Sequence, residues 1–360
     1  MKRLSYIFII LAAVLAVLTG CSDSGSDGPA ADISVLHLRI RLGSTSRSRA
    51  AGDEYEPDKL PASDGEKMQS LRIIILDKNL RVEHNTLWDL SSAPDVTFVG
   101  QDYPVRANEE KKIILVANEA GAGLTLPDGS VMSASDYFRN IDASIGKAVD
   151  LTELHQLTME GGAGGIAVPL PMSAIHSYTI GKAQSYSATF YIHRAAVKYT
   201  FRFTNADTRN VRKVTSVAVN HVASRQFFFP DADFTDTDQL FWSAYRTPAG
   251  TSVSDASWEQ ATDVAPGETA EIGPVYLPEG LSGLTEDPYA IAFSIDGRES
   301  GWFDLNWSIP QTPEQTEPMT DLPRNTHVIV NVKLLPDKPF QINYTICPWN
   351  EKTIDIPAFN

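Results

Sequence analysis

Ile33-Ser34-Val35-Leu36-His37-Leu38-Arg39-Ile40-Arg41-Leu42 is the stretch from which the fold is read. Leu36, Leu38, Ile40 and Leu42 share one parity; Val35, His37, Arg39 and Arg41 share the other. Successive side chains of a strand point to opposite faces, so the alternation predicts a half-buried β-strand. Such a strand spans about 33 Å at roughly 3.3 Å per residue. Four apolar side chains on its inner face amount to a transfer free energy on the order of 6–12 kcal/mol, at about 1.5–3 kcal/mol each.

Upstream of this strand lies an export signal. Lys2 and Arg3 are followed by an apolar run over 4–18, broken only by Ser5. The run has the length of a signal-peptide core and is short for a membrane span of about 20 residues. It ends in Leu18-Thr19-Gly20-Cys21, the small-residue-then-cysteine pattern of a bacterial lipobox. Residues 1–20 are therefore expected to be removed and Cys21 to carry the lipid, and no basic stop-transfer cluster follows. Residues 21–32, beginning Cys-Ser-Asp-Ser-Gly-Ser-Asp-Gly-Pro, bury no apolar area and read as a flexible tether. An acidic, Ser-rich segment directly after the cysteine resembles the surface-export signal of Bacteroidetes lipoproteins.

Downstream, 43–52 (Gly-Ser-Thr-Ser-Arg-Ser-Arg-Ala-Ala-Gly) reads as an exposed loop of the kind proteases cut. Arg47 and Arg49 both lie in this loop. Buried strands are expected at 71–76 (Leu-Arg-Ile-Ile-Ile-Leu), where the chain returns from Val82 as a hairpin, and at 111–118 (Lys-Lys-Ile-Ile-Leu-Val-Ala-Asn). Weaker strand signals lie at 95–99 and at Val105. Residues 133–157 have helical spacing and predict one or two short helices. Pro169 and Pro171 make 166–172 an edge or crossing segment. The longest β-pattern, 187–203, suggests two strands with a bend near Arg194, taken as a domain boundary. Further short strands are expected at 214–222, 227–229, 272–277, 289–295, 302–309, 326–335 and 340–347. Regular short strands bounded by Pro, Gly, Asp and Asn indicate β-sandwiches. The expected fold class is all-β, with a sandwich over 50–192 and another over 193–360, and an extended tail at 351–360.

Composition narrows the function. The chain has 360 residues, 42% hydrophobic and 21% charged, which is globular and long enough for about two domains. Its net charge of −15 becomes −17 once Lys2 and Arg3 are lost. An acidic chain without a long basic run lacks the face that displaces counterions, so nucleic acid is set aside as a partner. Cys21 and Cys347 are the two cysteines. With Cys21 acylated, Cys347 has no intramolecular partner, and stability rests on core burial.

Catalytic signals are weak. His37, His84, His155, His176, His193, His221 and His327 show no metal-ligand spacing, and no G-x-S-x-G elbow is present. The glycine-rich 161–165 lacks the Lys-Ser/Thr ending of a phosphate loop. The acidic 231–238 lacks the glycine and distal glutamate of a calcium loop. Nothing singles out a pair of carboxylates for glycoside hydrolysis. Trp302, Trp307 and Trp349 are candidates for a sugar-stacking platform, although core tryptophans are commoner in sandwiches. The expectation is a non-enzyme without cofactor or metal.

Taken together, the lipobox at Cys21, the alternating strand 33–42, Arg49-Ala50, and the paired strands Leu-Arg-Ile-Ile-Ile-Leu-Asp (71–77) and Lys-Ile-Ile-Leu-Val-Ala-Asn (112–118) resemble the fimbrillin superfamily of Bacteroidetes. That superfamily comprises the FimA-type stalk subunits and FimB-type anchors of type V pili. Ile-His-Arg-Ala-Ala-Val-Lys (192–198) is similar to the family's start of the C-terminal domain, and Leu-Pro-Arg-Asn-Thr-His-Val-Ile-Val (322–330) to its Arg-Asn turn into a long strand. Each motif alone is weak; their order carries the resemblance along nearly the whole chain. It implies two transthyretin-like β-sandwich domains and export as an outer-membrane surface lipoprotein. In stalk subunits an arginine-specific protease removes the lipid and first strand together; the resemblance implies cleavage here at Arg49-Ala50, with Arg47 the second choice, so that 33–49 is the first strand and candidate pro-segment, carrying Leu36, Leu38, Ile40 and Leu42. A neighbour's strand then fills the groove. The candidate donor is the C-terminal tail, with Ile354 and Ile356 on one face and Phe359 reached by a bend at Pro357. The expected partners are other subunits in a homo-polymer, anchor and tip proteins, the protease, and a host or bacterial surface ligand. Two alternatives stand beside this stalk subunit of adhesive function: an uncleaved, lipid-anchored anchor subunit, and a surface glycan-binding lipoprotein.

Overall fold

A computed structural model describes residues 32–46, 62–142, 145–162, 164–230, 239–241, 246–280, 288–309, 312–318, 322–336 and 340–349. The described residues from Ile33 onward belong to one compact unit. Strand β1 (Ile33–Leu42) continues into the short β2 (Ser44–Ser46). Next come β3 (Ser70–Leu76), β4 (Val82–Asp89), β5 (Thr97–Arg106) and β6 (Glu109–Ala117). A small layer follows: β7 (Gly123–Thr125), β8 (Val131–Ser133), α1 (Ala134–Asp142), α2 (Leu151–Gln156) and β9 (Thr158–Glu160). The chain then enters β10 (Met172–Ile180) and β11 (Ser185–Arg194). Seven of these strands form one sheet, in the order β4-β3-β6-β10-β11-β1-β5.

The apolar runs of β3 and β6 follow from their place in this sheet. Ile73, Ile75, Ile113 and Leu115 face one core, shared with Leu36, Leu38 and Ile40. Ile74, Leu76, Ile114 and Val116 face a second core, against Phe138 of α1 and Leu154 of α2. A strand covered on both sides needs apolar residues at every position. α2 starts where Asp150 accepts hydrogen bonds from the Thr152 and Glu153 amides, which would otherwise lack partners in the first turn.

The second half holds β12 (Val197–Asn205), β13 (Arg212–Ala223), β14 (Arg225–Phe227), β15 (Gln239–Phe241), β16 (Val253–Val264) and β17 (Thr269–Leu277). Then come β18 (Ala290–Ile295), β19 (Arg298–Glu299), β20 (Phe303–Asp304), β21 (Asn306–Ile309), β22 (Thr312–Pro318), β23 (Thr326–Leu334) and β24 (Gln341–Pro348). One sheet runs β17-β12-β23-β24 and another β16-β13-β18-β19, with β20 beside β18. Tyr199, Phe201, Phe203, Val217, Phe293 and Val330 meet in a shared core. The class is all-β with two short helices, as the sequence predicts.

The bend lies at Ala195-Ala196, directly after Arg194, as the sequence predicts. Other details differ from expectation. The expected strand over 302–309 is two pieces, β20 and β21, parted at the buried Leu305. Phe228 and Phe229 lie beyond β14 and fill the core beneath α1. β16 and most of β10 were not predicted at all. β16 is mostly polar and exposed, with Ala256, Trp258 and Val264 turned to the core, and it pairs with β13 through two register shifts. β10 hides polar residues by bonding them: Ser173 Oγ donates to Phe228 O at 2.5 Å, and His176 Nε2 lies 2.6 Å from Tyr191 O.

Candidate assembly site around the first strand

β1 is an interior strand, seated between two others. It runs parallel to β11, from Val35 opposite Ser185 to Leu42 opposite Ile192. It runs antiparallel to β5, from Ile33 opposite Arg106 to Arg41 opposite Thr97, with one register shift between His37 and Arg39. Leu36, Leu38 and Ile40 are 0%, 2% and 0% exposed. Leu42 is half-buried against the same core. On the outer face His37 pairs with Asp102 of β5. The geometry matches the parity read from the sequence: apolar residues inward, basic residues outward.

The far end of β1 reaches the second half of the chain. Gly43 N donates to Ile192 O at 2.9 Å, and Gly43 O accepts from Asn325 Nδ2 at 2.6 Å. β2 then pairs in parallel with β15. Next to this crossing, the two halves share a cluster of buried polar and aromatic groups. Glu66, 1% exposed, meets Lys198 Nζ at 2.9 Å and accepts from the Tyr276 hydroxyl at 2.6 Å. Burial, then the hydrogen bond to Glu66, pushes the Tyr276 hydroxyl well above its ordinary value. Tyr276 stacks on Trp349 with ring centroids 5.8 Å apart. The Arg194 guanidinium lies over the Trp349 ring, 4.4 Å from its centroid, and Arg194 Nε donates to Glu66 O at 2.8 Å. Nearby, Arg324 binds Glu279 through Nη2 at 2.5 Å and Nε at 3.0 Å, and donates to the Phe228 carbonyl at 2.8 Å.

Of the residues singled out in the sequence, Leu36, Leu38, Ile40 and Leu42 lie together in this site. Cys21, Arg47, Arg49, Ala50, Ile354, Ile356 and Phe359 lie outside the described residues, as does the acidic 231–238. Of the three tryptophans suggested as a platform, Trp349 is 2% exposed and Trp302 46% exposed, and the side chain of Trp307 lies outside the described residues. Trp349 is used internally, between Tyr276 and Arg194, so it is not available to stack on a sugar. Among the described residues, no group of three or more His, Cys, Asp or Glu is placed to hold a metal ion. Among them also, no helix is long and apolar enough to cross a membrane. Sequence reasoning missed the role of Asn325 at Gly43. Its only local signal is the Arg-Asn turn, where Asn325 adopts φ 60, a left-handed conformation that asparagine tolerates.

No family model matches the sequence. No curated protein matches it either. Solved structures do match in fold. The tip fimbrial protein Mfa3 of Porphyromonas gingivalis superposes with a TM-score of 0.53 at 13% identity, covering 88% of this chain and 100% of the other. A Parabacteroides distasonis protein, described as a candidate cell adhesion protein, superposes with a TM-score of 0.52 at 13% identity, covering 88% and 97%. The chain has the fold of Bacteroidetes fimbrial proteins. The FimA fimbrilin of Porphyromonas gingivalis W83 also matches, with a TM-score of 0.46 at 12% identity over 89% and 98% of the two chains.

Proposed function

We propose that this chain is a structural, non-enzymatic subunit of a surface pilus, exported as an outer-membrane lipoprotein on Cys21. Cleavage after Arg49, or after Arg47, frees it from the lipid and removes β1. A strand from a neighbouring subunit then occupies the vacated slot, and the tail bearing Ile354, Ile356 and Phe359 is the candidate donor. The division into sandwiches over 50–192 and 193–360 belongs to the same reading.

The seating of β1 carries this proposal. Its loss would open an apolar groove, lined by the core that Leu36, Leu38 and Ile40 fill, and would unpair the facing edges of β11 and β5. An incoming strand repairs both defects together, its backbone completing the ladders and its alternate side chains filling the groove. Contacts of this kind are head-to-tail and extend into filaments. The similarity in fold to a tip fimbrial protein supports the reading.

The test is the N-terminal sequence and intact mass of the protein recovered from the cell surface. An unlipidated chain beginning at Ala50 or Ser48 is the expected result. A diacylated chain beginning at Cys21, with 33–42 intact, would overturn removal of the strand and leave the anchor subunit.

A further inference from the structure

Asn325 stands where the end of β1 meets the root of the C-terminal segment. Its side-chain Nδ2 donates to Gly43 O at 2.6 Å, one residue past β1. Its backbone N donates to Ala196 O at 2.7 Å, in the bend between the two halves. Its backbone O accepts from Trp349 N at 2.9 Å, one residue past β24. The residue is 0% exposed. A second route joins the same two points. Gly43 N donates to Ile192 O, and two residues further along β11 Arg194 lies over the Trp349 ring. Both backbone groups of Gly43 are therefore held by elements that also hold Trp349. Trp349 immediately precedes the segment leading into 351–360.

We infer that β1 and the C-terminal end of the chain are coupled through Asn325, so that β1 in its slot fixes Trp349 and displacement of β1 loosens it. The physical reason lies in the cost of a buried donor. Asn325 holds its turn, and so aims its carbonyl at Trp349, while its amide is bonded to Gly43. Without the Gly43 carbonyl a buried N–H is left to find another acceptor, which favours opening of the turn. Coupling between two sites is reciprocal, so loosening Trp349 must also weaken the end of β1. The bearing on assembly rests on the reading that β1 is removed: opening the slot would then also loosen Trp349. The coupling itself does not depend on that reading.

Amide hydrogen exchange of the full-length, unlipidated chain tests the coupling, followed by mass spectrometry on peptides containing Gly43 and Trp349. Asn325→Gly suits the left-handed turn and keeps the backbone bonds to Ala196 and Trp349, removing only the amide. Exchange is expected to rise about tenfold in both peptides, the ratio for one buried hydrogen bond, with β3 and β6 unchanged. Acceleration at Gly43 alone, or at neither, would overturn the coupling. Trp349→Ala, which touches neither Gly43 nor its hydrogen bonds, is expected to speed exchange at Gly43; an unchanged Gly43 would overturn it as well. The outcomes separate from those of the pilus reading. A surface-recovered chain with 33–49 intact sinks strand removal and leaves the exchange results standing, while a processed chain with independent exchange sinks only the coupling.

Discussion

Glu66 and Lys198 form an ion pair whose side chains are 1% and 6% exposed. Removing one partner leaves the other charge buried, which costs about 3–5 kcal/mol, whereas replacing both by groups of similar volume is close to neutral. Lys198→Met is therefore expected to lower the unfolding free energy by about 3–5 kcal/mol, and the double variant with Glu66→Gln to recover most of that loss. Urea titration of the three proteins measures this; single losses that merely add in the double would mean the two groups act independently. Tyrosines supply a second residue-scale expectation. Burial raises the hydroxyls of Tyr137, Tyr199 and Tyr276 above their ordinary value of 10.0. Above that pH the unfolded chain releases these protons while the folded chain keeps them. The folded state then binds more protons, so this contribution is whole below about pH 10 and is lost as pH rises further. Urea midpoints are expected to fall between about pH 9 and about pH 11. The fall should be shallower in Tyr276→Phe.

Among the elements, β1 tests parity most directly. Leu38→Ala removes a side chain from a closed core and is expected to cost about 2–5 kcal/mol, while Arg39→Ala on the exposed face should fall within about 0.5 kcal/mol. Equal effects in urea titration would mean that β1 is not seated as described. β1 was legible because Leu36 to Leu42 alternate without interruption, and β3 and β6 because the runs 73–76 and 113–117 are apolar at every position and buried on both faces. The neighbours of β1 were harder to read. β5 carries Gly100, Asp102 and Pro104, which dilute its pattern to the weak signals near 95–99 and at Val105. β11 was visible as a strand, but nothing local announces a parallel partner some way off in the chain. β16 was lost because most of its residues are polar and exposed, and β10 because its buried serine and histidine look like surface residues until their carbonyl partners are known. For the candidate site, the inward leucines and isoleucine were legible and the pin at Asn325 was not. A hydrogen bond between residues so distant in sequence leaves no periodic trace.

At the scale of the whole molecule, the two halves are tied by buried groups: Glu66 to Lys198 and Tyr276, and Asn325 to Gly43. Each must break before either half opens alone. Unfolding of the full chain is therefore expected to be a single transition, with far-UV circular dichroism and tryptophan fluorescence coinciding in urea. Two separated transitions would show that the halves unfold independently. The placing of β1 also bears on mechanics. It is held along both edges, and its two ends point in opposite directions. A pull on Ile33 along the strand axis loads both ladders in shear, so their bonds share the force. Lifting one end sideways instead peels them in succession, each bond carrying the whole load in turn. Such a strand holds fast against drag along its length and yields to a tug across it, as a strip of adhesive tape does.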